Sequence, residues 1–171
     1  MMIDNNAMKK LSESFVSEWL NMEYMLLPER IKSKRWACLP IADYMNPMEA
    51  EWLSEAINQN TSKDIISLAF EFGGTPTCSM IEVSKSNLID ANFQSSHLFL
   101  CITSMEYEFI YFKDQLNRFY LLSGSQNFLK KAYPCSLETS KEMYYDWLES
   151  YSKSDSEKLF LKKIWEKYFT A

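Results

Sequence analysis

The sequence predicts an α+β fold: N-terminal helices, a central antiparallel sheet of about five strands, then C-terminal helices, all in a single domain (1–171). Three observations predict it. Apolar residues recur at helical spacing near both ends, the period falls to two in the middle, and the elements come in blocks rather than in strict alternation. A chain of 171 residues that is 47% apolar can bury one sizeable core.

The first helix is expected from about Asn6 to Asn21. Met8, Leu11, Phe15, Val16, Trp19 and Leu20 make one apolar stripe, and Asp4, Asn5 or Asn6 can cap it. Residues 28–46 hold Pro28, Pro40 and the basic stretch Arg30–Arg35, which reads as an extended or irregular connection. A second helix opens with Asn46 as cap, Pro47 and then Glu49 three residues on, close to a capping box. Met48, Trp52, Leu53, Ala56 and Ile57 form its inner stripe. Glu49, Glu51 and Glu55 form its expected outer face.

Strand-like segments follow. Asp64–Phe72 alternates, with Ile66, Leu68, Phe70 and Phe72 on one face, and Gly73-Gly74-Thr75-Pro76 turns the chain. Cys78–Ser84 reads as a short strand, Lys85–Ser96 as a polar connection, and His97–Thr103 and Tyr107–Lys113 as two more strands. Asp114-Gln115-Leu116-Asn117 makes a hairpin loop before the returning strand Arg118–Ser123. Ser125 then caps a short helix with Phe128, Leu129 and Ala132, which Pro134 stops. Thr139–Glu142 and Ser154–Glu157 read as two capping boxes. They open one helix with Met143, Tyr144, Trp147, Leu148 and Tyr151, and a last one with Leu159, Phe160, Ile164, Trp165, Tyr168 and Phe169.

Charge is unevenly placed. Between Trp36 and Phe112 ten acids face two lysines, Lys63 and Lys85, a net −8 in a chain whose total is −5. Such a segment repels nucleic acid and attracts a basic protein. No 18-residue stretch is free of charge, so no membrane span is expected. The first residues lack a basic region followed by an apolar run, so a cytoplasmic location is expected.

Catalytic and cofactor chemistry finds little support. Cys38, Cys78, Cys101 and Cys135 are widely spaced and read as free thiols in a reducing compartment; with one histidine, no zinc set and no cofactor are expected. Three glycines cannot build a phosphate-cradling loop, and Gly124 reads as a plain turn between strand and helix. His97 and Cys101, four apart on one strand, would stand about 13 Å apart, too far for proton transfer. Glu106 and Glu108 would share one side of a strand. Paired carboxylates can do acid–base work, but a solvated face is the commoner arrangement. No enzyme activity is therefore expected.

Binding has more candidates. Tyr107, Tyr111 and Tyr120 stand beside Glu106, Glu108 and Asp114 on the hairpin region, and tyrosine is favoured at protein interfaces, although core packing also suits these positions. Together with Glu49, Glu51 and Glu55 they are the candidate partner-binding residues.

The strand Leu98–Thr103, the hairpin Phe109–Phe112 to Phe119–Leu122, and the helix Asn127–Lys131 carry a resemblance. With the Tyr/Trp-rich helix that follows, this pattern resembles the small acidic immunity proteins of bacterial contact-dependent inhibition and related polymorphic toxin systems. It is also similar to the SUKH group of immunity domains. The resemblance covers about a third of the chain and implies a cytoplasmic antidote, a monomer when free, that blocks a toxin domain, often a nuclease, by tight binding. The alternative is a non-catalytic adaptor or regulatory subunit with no toxin partner.

Overall fold

The computed structural model describes residues 4–62, 64–150 and 154–170. Along the chain run α1 (Asn5–Trp19), α2 (Pro28–Ser33), β1 (Ala37–Ala42), α3 (Pro47–Asn60), β2 (Ile65–Phe70), β3 (Thr77–Met80), α4 (Lys85–Gln94), β4 (Phe99–Ser104), β5 (Phe109–Lys113), β6 (Phe119–Gly124), α5 (Gln126–Ala132), α6 (Leu137–Ser150) and α7 (Asp155–Tyr168). The six strands form one sheet in the order β1-β6-β5-β4-β2-β3, and every pairing is antiparallel. The α+β class stands.

Helices cover both faces of this sheet. Side chains alternate across a strand, so the register sorts each one to a face. One face carries Phe109, Tyr111 and Tyr120. There Phe128 of α5 stacks on Phe109, Asn92 of α4 accepts from the Tyr111 hydroxyl, and Glu49 of α3 lies against Tyr120. The opposite face carries Phe119 and Cys78, which meet Phe160 of α7 and Met8 of α1. With no wet face, β4, β5 and β6 are buried at every position. That is why they read as continuous apolar runs rather than as alternation.

Three element assignments are corrected. Residues 28–46 are not irregular: Pro28 opens α2, with its missing N–H at a helix start where no bond is lost, and residues 37–42 form β1 beside β6. Pro40 fits there because β1 is an edge strand. Cys38 directs its N–H and C=O outward to Thr170 (3.2 and 3.0 Å), so Pro40, two residues on, also turns its outer side away from β6. Residues 85–94 are not a polar connection but α4, capped by Ser84, which accepts from Asn87 N. With β1 added the sheet has six strands, in keeping with the expected count of about five, and α3 and α4 fall between strands. Finally, α6 starts at Leu137 rather than after Thr139. Ser136 accepts from Thr139 N at 3.1 Å and takes the capping role, leaving Ser140 within the helix.

Smaller departures follow from position. Met48 and Phe72, expected on inner faces, are exposed; Phe72 lies past the end of β2 and packs on Tyr24. Tyr151, placed by its spacing on the stripe of α6, lies outside the described residues. Among the described residues no helix is long and apolar enough to cross a membrane.

Candidate functional site

The Asn46–Glu49 capping box forms as its spacing predicts. Glu49 N donates to Asn46 Oδ1 at 2.8 Å, and Asn46 N donates to Glu49 Oε1 at 3.0 Å. The same geometry turns the Glu49 carboxyl inward, toward the sheet, and leaves the residue only 7% exposed. It therefore does not belong to an outer acidic face. Burial raises its pKa above the usual carboxylate range, and the nearby Asp43 charge adds to this. The Asn46 amide and the Tyr120 and Tyr133 phenols oppose the rise. Tyr120 Oη, in a residue 1% exposed, is directed at this carboxyl but completes no hydrogen bond.

Glu49 lies on the wall of a cleft of about 410 Å³ between the β1–α3 connection and α6. Asp43, Tyr44 and Asn46 form one side. Met143, Tyr144, Asp146 and Trp147 form the other, and Tyr133 closes one end. Asp43 holds a left-handed backbone (φ 70°), a conformation that Asp and Asn tolerate better than most residues. Its N–H is anchored to Arg118 O at 2.9 Å, which fixes the connection to the end of β6. None of the cleft's lining residues is basic.

No family model, curated protein or solved structure matches this chain. Its functional reading rests on its own geometry.

The candidate partner-binding residues separate into two groups. Glu51 and Glu55 are exposed on α3, with Lys85 of α4 3.9 Å from Glu51, and Glu106 is exposed in the β4–β5 turn. Tyr107 and Glu108 are half-buried in that turn, so the expected strand face pairing Glu106 with Glu108 does not exist. Tyr107 has φ 53° and packs its ring on Phe15 and Trp19, while its carbonyl accepts from Lys34 Nζ at 2.6 Å. Burial alone would raise the Glu108 carboxyl, but hydrogen bonds from Ser62 and Ser104 and the Lys34 charge hold it below its ordinary value.

Tyr111, Asp114 and Tyr120 present no surface that a partner could contact in this conformation, a correction to their expected role, and Glu49 is removed from the outer face of α3 to the wall of the cleft. Tyr111 and Tyr120 are core residues on the face covered by α3, α4 and α5. Asp114, 2% exposed, is a structural acid: Arg118 grips it through Nε (2.8 Å) and Nη2 (3.1 Å), and the guanidinium lies 4.1 Å over the Phe160 ring of α7. Beside it, buried Lys113 donates to Leu98 O, Asp114 O and Asn117 Oδ1. The hairpin loop is thus tied to the start of β4 by its polar residues.

The sulfur and histidine candidates stay apart. His97 is exposed in the turn before β4, while Cys101 is fully buried within it. Burial pushes the Cys38 thiol up to about 12 and raises Cys101, Cys78 and Cys135, the reverse of what a thiolate nucleophile needs. Among the described residues no group of three or more His, Cys, Asp or Glu side chains could hold a metal ion. Reading the sequence missed the cleft because Asp43, Glu49 and Asp146 lie on separate segments. Only the packing of α6 against β1 brings the last of them to the first two.

Proposed function

We propose that this chain acts by holding and blocking a basic protein partner, as a cytoplasmic immunity protein holds a toxin domain. One observation carries the proposal. Glu51 and Glu55 of α3 and Asp90 of α4 are exposed, as is Glu82 in the connection before α4, and Lys85 is the sole basic residue within these two helices. The acid-lined cleft opens at the start of α3. A nuclease toxin is basic where it grips phosphate, so exposed carboxylates steer this chain onto that surface and occupy it. The charge sign also disfavours nucleic acid as the direct ligand.

The test places a gel shift with mixed RNA and DNA beside co-purification with the product of the neighbouring reading frame. The proposal expects no shift of nucleic acid at physiological salt, and a stable complex with a basic domain whose toxicity the chain suppresses. Salt-sensitive retention of nucleic acid by the purified chain would overturn it.

A further inference from the structure

We propose that the cleft between the β1–α3 connection and α6 seats one arginine side chain of the partner, an inference that rests on the binding function proposed above. The volume, about 410 Å³, lies within the roughly 300–1,000 Å³ typical of small-ligand sites. Three carboxylates line it: Asp43 and Asp146, both exposed, and Glu49, nearly buried. No ion pair among the described residues engages any of the three.

A second feature also points to a cationic occupant. The Tyr120 hydroxyl is buried behind Glu49 without a hydrogen-bond partner. A buried hydroxyl that completes no hydrogen bond beside a carboxylate costs stability. The capping bond from Asn46 takes only Glu49 Oε1. A guanidinium bound at the other oxygen would fix the carboxyl in its charged form and draw it into a better hydrogen bond with Tyr120.

The walls select arginine over lysine. Tyr44 and Trp147, both half-buried, supply aromatic surface, Tyr133 a phenol, and Met143 a polarisable thioether. A planar guanidinium stacks on aromatic rings and presents a fork of donors to two carboxylates at once. An ammonium is a strongly hydrated point charge that loses more on leaving water. Asp43 on one side and Asp146 on the other offer that fork its acceptors.

The probe is N-acetyl-arginine-N-methylamide, which carries one positive charge and no charged ends, followed by amide chemical shifts of the full chain. Lysine and citrulline derivatives of the same form are the controls; citrulline keeps the shape and removes the charge. Saturable shifts are expected at the cleft, on the order of millimolar in affinity, with citrulline at least tenfold weaker. Asp43→Asn combined with Asp146→Asn should weaken the arginine probe at least tenfold with the spectrum of the fold preserved, because Asn tolerates the Asp43 backbone and Asp146 is exposed. Equal binding of citrulline, shifts outside the cleft, or no saturable shift would each overturn the arginine site. The two proposals fail separately. A double variant that still captures the basic partner, with no arginine response in the wild type, removes the cleft and leaves the binding function standing. A clear arginine response with no partner captured does the reverse.

Discussion

Glu49 does two things that pull against each other. Its side chain completes the capping box of α3, and its charge is held where burial disfavours it. The sign follows from linkage. The folded pKa lies above the ordinary 4.5, so as pH rises past that value the unfolded chain releases its proton first, and the folded state loses stability until Glu49 itself ionises. Glutamine keeps the capping bond but carries no charge. Glu49→Gln should therefore gain on the wild type between pH 4 and pH 7, a comparison in which the other titrating groups cancel. Urea denaturation of both proteins at the two pH values measures this, and a stability gap independent of pH would contradict it. Asp114 is a paired acid. Asp114→Asn breaks a bidentate, charge-assisted contact to Arg118 and should lower stability by about 1–3 kcal/mol while partner affinity stays unchanged. From the sequence, Tyr111, Asp114 and Tyr120 looked equally suited to an interface. What separates Tyr111 and Tyr120 from surface residues is that β5 and β6 are buried at every position, the mark of strands covered on both faces, while Asp114, just past β5, is buried by its pairing with Arg118.

Elements whose start signals lie close in sequence were legible. Asp4, Asn46, Ser125 and Ser154 cap α1, α3, α5 and α7 as their spacing indicates. Asn46→Ala should cost about 1 kcal/mol through the lost box, measurable by thermal or urea unfolding. Three elements were not legible: α2 is a six-residue helix, too short to show a period, and the other two were hidden for different reasons. β1 contains a proline, and the pairing that makes it a strand is with β6, about 80 residues later; only its place at the sheet edge makes Pro40 acceptable. α4 buries a narrow stripe, and one of its core contacts is polar: Asn92 accepts from Tyr111 and donates to Leu88 O. A polar residue in the core role hides the helical period. Asn92→Leu should destabilise by about 1–3 kcal/mol because the Tyr111 hydroxyl is then buried without an acceptor, and adding Tyr111→Phe should recover much of that loss. A double-mutant cycle in urea checks it; additive losses would remove this hydrogen bond as the reason α4 docks where it does.

At the scale of the whole molecule, the class, the antiparallel sheet and the helical ends were all present in the patterning, and so was the acidic middle. How that charge is shared between surface and interior was not, since burial depends on which helices cover which face. The fold removes Glu49 from the outer face of α3 and commits Glu108 to Ser62 and Ser104, yet leaves Glu51 and Glu55 of α3, Asp90 of α4 and Glu82 just before α4 exposed. Steering of the proposed partner would depend on the acids that stay exposed, these four among them, rather than on the net −8 of the segment. Neutralising these four should leave unfolding free energy within about 0.5 kcal/mol of the wild type, because exposed charges contribute little to stability.

The most direct test of binding through these acids is the association rate with the purified basic partner, measured across ionic strength for the wild type and for the variant combining Glu51→Gln, Glu55→Gln, Glu82→Gln and Asp90→Asn. The account predicts fast association that slows steeply with added salt, and a variant that starts slower and responds to salt much less, with dissociation little changed. Equal rates and equal salt slopes for the two proteins would contradict it and move the contact surface off α3 and α4.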